Sequence, residues 1–541
     1  MSGTVSAIDS ASPSSIVTRV ILNLDRPVNQ ESIERTLNAI ANQTGASVKL
    51  VRSMSGNALV VSIEHPNTSS QKLIRQLRTV SGINDVSQDA IVRVMATVDD
   101  PRFAEQWQLH NPSKFLASLD TARAWDITQG SADVVVAVVD TGIDYNHPDL
   151  VGRILPGYDF VSRLSLSVDE GVQVPPEQEF IRSNDGDGRD SDASDPGDAI
   201  NETLRSQFEA VDIDCYVNNS SWHGTAMASI IAANPNDGIG IAGIDWHAKI
   251  LPVRAIGKCG GRRSDMLDAI RWAAGVDDPA LPPNSTPARI INLSLGVDDL
   301  CTVADQKAID DAIAAGALIV AAVGNNGRNT DAEPSSPSHC QNVMGVMAVD
   351  KFGFRASYSN VGRDADVAAP GGDLSPSPNQ ILVATNKGTD GPSTEFGYRA
   401  ATGTSVAAPH VAGVLSLMLS INPDLTNREL EALMLDNTRA FPGPEALMYD
   451  EDLACEKSYC GAGILDAYTA VQAVIAHVPG TFLDDSPALA AAQSVPVSVG
   501  SFNGFGCTVA SQNQDDPLAL MLCLIAAIML ARRRTAELTN P

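Results

Sequence analysis

Basic residues are scarce in this 541-residue chain, where 37 Lys and Arg stand against 65 Asp and Glu, a formal charge of −28. Contacts to phosphate groups need clustered Lys and Arg, so the composition argues against a nucleic-acid partner. The charge is unevenly spread, because residues 1–96 hold nine basic and seven acidic side chains and leave −30 on the remainder. We therefore expect the front segment and the acidic body to attract each other.

Paired CxxC motifs are also missing, which leaves a zinc ribbon unsupported. An even number of cysteines scattered through loops favours disulfides and an oxidising compartment, with free intracellular thiols as the alternative. The eight are Cys215, Cys259, Cys301, Cys340, Cys455, Cys460, Cys507 and Cys523.

The N-terminus lacks the charged start and apolar core of a signal peptide. Near the C-terminus an uninterrupted apolar run, 518–531, has 14 residues and is followed by three arginines. It is shorter than the roughly 20 residues of a usual spanning helix, and the arginines favour a cytoplasmic end. If this run inserts, the chain before it lies outside the cytoplasm, and we expect an export signal upstream of Met1.

The first hundred residues form a pattern of their own. Between 16 and 95, β-like runs and two helical patterns follow one another in the order β-α-β-β-α-β. This order predicts a small ferredoxin-like α+β domain over residues 1–96. Many functions use that fold, so the pattern alone predicts none.

From about residue 131 to 468, apolar β-branched runs alternate with helical patterns, and this alternation predicts a doubly wound, mostly parallel α/β sheet. Acidic residues 155–220 interrupt it as a long polar insertion, and a Pro/Ser/Ala-rich linker, 478–515, separates the body, 97–477, from the tail, 516–541. Ligands bind beyond the carboxyl ends of the strands in such sheets, so the polar residues that follow each run are the candidates for function.

Three polar residues stand at such positions. Asp140 closes a strand-like run, and His223 and Ser405 each open a helical pattern among glycines and alanines. Taken singly, each has an ordinary structural explanation, an Asx turn, a loop histidine and a helix N-cap respectively. Taken together, their order along the chain is one of the known orders of the acyl-transfer triad.

The segments VVDTGID, HGTAMASI and GTSVAAPHVAG closely resemble the three signature blocks of the subtilisin-like serine proteases, the subtilases (peptidase family S8), and the resemblance extends over about residues 100–475. It implies that Ser405 attacks a peptide carbonyl, that His223 transfers the proton and that Asp140 orients the imidazole. The block IVAAVGNNG implies that Asn325, with the Ser405 backbone N–H, stabilises the oxyanion.

The block NLSLG resembles the strand edge on which this family binds extended substrate backbone. The substrate-binding residues implied are Ser294, Leu295, Gly296 and Gly324. A secreted or surface-attached endopeptidase is the function expected. An inactive surface-binding relative and a processing protease of narrow specificity are the alternatives.

The front domain resembles the inhibitory propeptide of this family, which implies cleavage between Met95 and Asp100 and an intramolecular inhibitor. Structural calcium is also implied, since this hard cation takes about six to eight oxygen ligands. Asp149 matches the calcium-ligand aspartate of the family, and Asn236 and Asp237 lie in a matching loop. A second site is predicted in the insertion, with a solvated acidic loop as the alternative; its ligands would be Asp190, Asp192, Asp195 and Asp198.

The resemblance to secreted bacterial subtilases favours three disulfides, Cys215–Cys259, Cys301–Cys340 and Cys455–Cys460. The tail resembles GlyGly-CTERM-like sorting signals of Gram-negative envelope proteins, which implies cleavage near Cys507 by an envelope sorting protease. A plain tail anchor is the alternative. Either case implies an extracellular or cell-envelope location.

Overall fold

The computed structural model describes residues 15–66, 70–89, 98–163, 181–209, 213–374, 379–443, 455 and 457–477. The chain divides into two compact units, Met1–Val94 and Met95–Pro541. The predicted linker and sorting tail, with Cys507 and Cys523, lie outside the described residues.

The first unit has the β-α-β-β-α-β order that its sequence predicts. An antiparallel sheet with strand order β2-β3-β1-β4 forms, and the first helix starts at a capping box between Asn29 and Ser32 and ends at the left-handed Gly45. Alternate strand residues such as Val20, Leu22 and Leu59 are buried. The elements are β1 (Ser15–Leu24), α1 (Gln30–Thr44), β2 (Ser47–Met54), β3 (Ala58–Pro66), α2 (Ser70–Leu77) and β4 (Ile83–Gln88).

The second unit alternates strands and helices, as its apolar runs predict. Its elements are α3 (Thr121–Trp125), β5 (Val135–Asp140), β6 (Tyr158–Asp159), α4 (Glu202–Glu209), α5 (His223–Ala232), β7 (Lys249–Arg254), α6 (Arg263–Ala273), β8 (Ile290–Leu293), α7 (Val303–Ala314), β9 (Leu318–Ala322), β10 (Val343–Val349), β11 (Val367–Pro370), β12 (Ile381–Asn386), β13 (Phe396–Ala401), α8 (Thr404–Ile421), α9 (Asn427–Leu435), α10 (Lys457–Cys460) and α11 (Ala467–Ala476). Three single-turn 3-10 helices lie at Phe103–Glu105, Trp107–Leu109 and Pro148–Leu150.

Seven parallel strands form the main sheet in the order β11-β10-β9-β8-β5-β7-β6. Helices cover both faces: α5, α8, α9 and α11 contribute to one apolar cluster, and α6 and α7 to the other. Since the strands are buried on both sides, they read as continuous apolar runs rather than as alternating ones. The predicted doubly wound fold is confirmed. Because the strands are parallel, their carboxyl ends, including those of the adjacent strands β5 and β8, lie at the same edge of the sheet.

Helix α8 passes through the core. Among the described residues it is the helix long and apolar enough to cross a membrane, with a mean hydropathy of 1.5, yet 83% of it is buried inside the protein. Its small residues explain how closely it packs: a Cβ at Gly413 would lie 2.9 Å from the Cβ of Ile244. Helix α8 therefore packs closely against the segment at Ile244.

All three disulfides implied by the family resemblance are present. The Cα–Cα distances are 5.5 Å for Cys215–Cys259, 5.2 Å for Cys301–Cys340 and 5.6 Å for Cys455–Cys460. Each lies within the usual range for a disulfide. The first of them joins the insertion to the loop that follows β7.

Candidate active site

Asp140 and His223 meet at the carboxyl end of β5. The Nδ1 atom of His223 lies 2.8 Å from both carboxylate oxygens of Asp140, although the two residues are 83 positions apart. Asp140 is only 2% exposed, and its Oδ1 also accepts a hydrogen bond from the backbone N–H of Thr141 at 2.7 Å. The carboxylate therefore fixes the ring orientation and favours the tautomer with the proton on Nδ1.

The electrostatic surroundings suit His223 to proton transfer. Burial disfavours its charged form, but the charge and hydrogen bond of Asp140 outweigh this effect, so the pKa of His223 is raised above its ordinary value. Arg399 acts in the lowering direction and Asp198 in the raising direction. A raised pKa makes the imidazole a stronger proton acceptor.

Ser405 lies in the first turn of α8 and is half-buried. The explanation of this serine as an N-cap is wrong, because Gly403 occupies the N-cap position at φ 150°. Few side chains tolerate that backbone conformation, and a Cβ there would lie 2.7 Å from the Ser405 Oγ. The hydroxyl is thus left free of a capping role at the positive end of the helix dipole.

Asn325 is held with its amide group turned toward the cleft. Its Oδ1 accepts hydrogen bonds from the backbone N–H of Thr404 at 2.8 Å and from the Thr404 hydroxyl at 2.9 Å. Both acceptor directions are used by the oxygen, so the Nδ2 is the group that remains for a ligand. A Cβ added at Gly403 would lie 2.7 Å from the Ser405 Oγ and 3.7 Å from the Asn325 Nδ2. The Ser405 hydroxyl and the Asn325 amide therefore border one small space.

The predicted substrate-binding residues follow β8 and β9. Ser294 is 8% exposed, and its hydroxyl donates to the Ser405 carbonyl oxygen at 2.7 Å, so its side chain contacts the backbone of Ser405. Leu295 is half-buried and Gly296 is exposed, which leaves backbone accessible at this edge. Gly324 has φ 104°, and a Cβ there would lie 2.5 Å from the Asn360 Nδ2. Substrate binding along this edge stays a prediction.

Asp149 is completely buried. It accepts hydrogen bonds from the Tyr398 hydroxyl at 2.8 Å and from the Ile241 backbone N–H at 3.1 Å. Burial raises its pKa to about 6, and the nearby charges of Asp237 and Asp100 act in the same direction. The carboxylates of Asp149, Asp237 and Asp100 are oxygen ligands of the type that a hard cation such as calcium takes, and calcium binding here stays a prediction.

The sequence reasoning missed Asp100, which joins this group. Asp100 is 5% exposed and accepts from the backbone N–H groups of Asn236 at 3.0 Å and Asp237 at 3.4 Å. Asn236 in turn accepts from the Asp99 N–H through its Oδ1 at 3.0 Å. Asp100 is 136 residues from Asn236, so no local pattern links the two.

The four insertion aspartates have separate partners. Asp190 and Asp192 accept from backbone N–H groups two residues ahead, of Asp192 and Ser194. Asp195 and Asp198 instead bind Thr141 and Ser221, which flank the Asp140–His223 pair. Among the described residues, three or more Asp, Glu, His or Cys ligand atoms converge within 4.8 Å at Cys301, Asp305 and Cys340, two of which form a disulfide. The second calcium site stays a prediction.

A buried carboxylate paired with an imidazole at the mouth of a doubly wound sheet, with a serine at a helix start near an amide donor, is typical of serine hydrolases. Residues 131–463 match the Subtilase family of S8 peptidases. The chain belongs to this family, and the resemblance seen in its motifs is confirmed.

Curated relatives include an extracellular protease of Xanthomonas campestris, 40% identical over 409 residues, and an extracellular basic protease of Dichelobacter nodosus, 37% identical over 401 residues. These alignments cover 75% and 72% of this chain, but only 62% and 58% of the relatives. Among solved structures, a protease from Pseudoalteromonas arctica is 41% identical with a TM-score of 0.60, covering 70% of this chain and 100% of that chain.

Proposed function

We propose that this protein is an extracellular serine endopeptidase that hydrolyses peptide bonds through an acyl-enzyme. The observation that carries the proposal is the 2.8 Å contact of Asp140 with His223 at the strand mouth, within a chain of the Subtilase family. Relatives named extracellular proteases support both the activity and the location. The three disulfides also suit an oxidising compartment.

Each residue has a defined role in the proposed reaction. His223 removes the proton from the Ser405 hydroxyl as that oxygen attacks the peptide carbonyl, and Asp140 stabilises the resulting imidazolium. Asn325 and the Ser405 backbone N–H donate to the oxyanion of the tetrahedral intermediate. His223 then gives its proton to the leaving amine, and the acyl-enzyme remains. A water molecule that gives a proton to His223 attacks the acyl carbonyl, and the carboxylic acid and the Ser405 hydroxyl are released. Extended substrate backbone pairs with the edge at 294–296.

A serine-directed fluorophosphonate tests this assignment. We expect the wild-type chain to be labelled at Ser405 and to cleave a peptide library, and we expect Ser405→Ala to lose both properties. Ser420→Ala is the matched control, because Ser420 lies on the same helix and donates to the Leu417 carbonyl. Labelling that survives in Ser405→Ala would assign the nucleophile elsewhere, and the library would separate broad from narrow specificity.

We propose further that the front unit is an inhibitory propeptide removed by the protein itself. Its separate compact core supports this role. Its slight excess of basic over acidic residues also supports it, because the rest of the chain is strongly acidic. The full chain carrying Ser405→Ala should keep residues 1–96 when expressed alone, whereas the wild type should lose them. Removal of this segment from the Ser405→Ala chain would show that another protease does the cleavage.

Calcium is proposed as a structural ion at Asp149, with Asp100, Asn236 and Asp237 nearby, and a second ion is proposed in the insertion. The buried, negatively charged surroundings of Asp149 support the first site.

The C-terminal segment, 516–541, is proposed as a sorting or anchor tail on which an envelope protease acts. Mass spectrometry of the mature protein from cell-surface and medium fractions would reveal whether cleavage occurs near Cys507.

A further inference from the structure

Two carboxylates of the insertion, only three residues apart, contact the two segments that carry the acid and the base. Asp195 is 4% exposed, and its Oδ2 accepts a hydrogen bond from the Thr141 hydroxyl at 2.7 Å. Its Oδ1 accepts from the backbone N–H of Gly197 at 2.9 Å, which fixes the turn itself. Thr141 directly follows Asp140, so Asp195 holds the end of β5.

The Thr141 hydroxyl also joins the two halves of the acid–base pair. It accepts a hydrogen bond from the backbone N–H of Gly224 at 3.1 Å while it donates to Asp195. Gly224 directly follows His223. One hydroxyl therefore links the residue after Asp140 to the residue after His223, and Asp195 determines which way that hydroxyl points.

Asp198 holds the other side of His223. It accepts from the backbone N–H of Ser221 at 2.6 Å and from the Ser221 hydroxyl at 2.7 Å. Arg399 donates to the Ser221 carbonyl oxygen at 3.1 Å, so three polar groups of Ser221 are engaged. Trp222, which follows, has φ 49° and donates its indole N–H to the Gly388 carbonyl oxygen at 2.8 Å. The backbone leading into His223 is thus determined by tertiary contacts.

Close approach of the insertion to these segments depends on glycine. Backbone hydrogen bonds pair Ile143 with 193–195, and a Cβ at Gly142 would lie 2.8 Å from the Ala193 carbonyl oxygen. A Cβ at Gly197 would lie 2.2 Å from the Asp390 carbonyl oxygen and 2.6 Å from the Ser220 Oγ. Distances below 3.0 Å leave no room for a side chain, so the contact is a close-packed one.

We propose that Asp195 and Asp198 are positioning residues, which bind Thr141 and Ser221 and thereby set the geometry of the Asp140–His223 pair. The inference rests on the proposed function, and it gives these two carboxylates a role in catalysis different from calcium binding. Small displacements of a reacting group cost large factors in rate, so loss of these contacts should reduce kcat more than it raises KM.

Thr141→Val removes the shared hydroxyl at nearly constant volume. We expect kcat to fall roughly 10- to 100-fold with KM little changed. Thr141→Ser keeps the hydroxyl and should recover most of the rate. Glu202→Gln is the control, because Glu202 is also an insertion carboxylate but is 74% exposed and, within the described part of the chain, pairs with Arg205. It should behave like the wild type.

The pH dependence of kcat/KM supplies a readout that a merely structural role would not move. The charged groups that face His223 are Asp140, Asp198 and Arg399. Asp198→Asn removes a negative charge, lowers the pKa of His223 and should shift the acidic limb of the profile to lower pH. Arg399→Gln should shift that limb to higher pH.

A Thr141→Val protein with reduced melting temperature but wild-type kcat and pH profile would overturn the proposal. If Thr141→Val fails to fold, the kcat of Asp198→Asn decides, and a wild-type kcat is the contrary result. Loss of calcium-dependent stabilisation in Asp195→Asn at unchanged kcat would return these residues to the calcium site. Absence of fluorophosphonate labelling in the wild type would instead refute the proposed function, so the two failures are distinguishable.

Discussion

Asp140 and Asp149 are nine positions apart and nearly equally buried, at 2% and 0% exposure, yet their surroundings differ. Asp140 contacts a basic imidazole with both oxygens. Asp149 contacts a phenol and a backbone N–H, and its charged neighbours are the carboxylates of Asp237 and Asp100. One aspartate has its positive partner in the fold, whereas the other lies in a region of negative charge.

The partners of a buried carboxylate indicate its role. A buried charge is stable only when it is paired and hydrogen-bonded or coordinates a metal. Asp140 meets the first condition through His223, which is also the arrangement that general-base chemistry needs. Asp149 meets only part of it, and its pKa of about 6 expresses the cost. We therefore expect substitution of Asp140 to affect catalysis and substitution of Asp149 to affect stability.

Replacing each aspartate by asparagine is the strongest test of this contrast. Asp140→Asn should reduce kcat by roughly 10⁴-fold, because the amide favours the wrong imidazole tautomer and does not stabilise its charged form. Asp149→Asn should leave kcat nearly unchanged when the protein is folded. Steady-state kinetics on both variants at one temperature, well below their melting points, measures the difference. Similar losses of kcat in the two variants would mean that the two aspartates do not differ in function.

We expect the next largest effect at Asn325, the proposed oxyanion donor. Asn325→Ala should reduce kcat about 10²- to 10³-fold, because its Nδ2 stabilises charge that appears only in the transition state. KM should change little. Asn326→Ala is the matched control, since Asn326 is an exposed neighbour on the same loop. An equal loss in Asn326→Ala would indicate a general disturbance of the loop.

The residues at strand ends were predictable from the sequence because the fold places them by rule. Asp140 ends a buried strand, and ligands bind beyond the carboxyl ends of strands in such sheets, so the motif and the topology agree. Asn325 follows β9 for the same reason. The N-cap explanation of Ser405 was wrong, because Gly403 takes the cap position. Only the three-dimensional structure shows which residue caps the helix.

Contacts between distant segments were not predictable. Asp195 and Asp198 stand in an acidic loop, and composition suggested calcium, but their hydroxyl partners lie 54 and 23 residues away. Neither Thr141 nor Ser221 has a local pattern that reveals its partner. The same holds for Asp100, whose neighbours at Asn236 and Asp237 are brought to it by tertiary packing alone.

Chelation of calcium should reduce stability by a smaller amount. An ion present at 100 times its Kd and bound only by the folded state contributes about 2.7 kcal/mol. We expect the wild-type melting temperature to fall in EDTA and to recover with added calcium, but not with magnesium at equal concentration. Asp149→Asn should show little response to EDTA if the site at Asp149 dominates. A wild type that is insensitive to EDTA would remove the calcium proposal.

The smallest effect concerns the pH dependence of stability in the presence of EDTA. The folded-state pKa of Asp149 is about 6, against an ordinary value of 3.8, so between these values the folded protein holds a proton that the unfolded chain has lost. Raising the pH through this interval therefore favours unfolding, and the free energy of unfolding should fall by roughly 2 kcal/mol and then level off.

Urea denaturation of wild type and Asp149→Asn from pH 4 to pH 7 isolates the contribution of Asp149, because the other carboxylates titrate in both proteins. The two curves should converge or cross as the wild type loses stability, and calcium should abolish the decline by binding the ionised carboxylate. Parallel curves would mean that Asp149 has a charge partner in the fold after all, and that the contrast with Asp140 is one of position only.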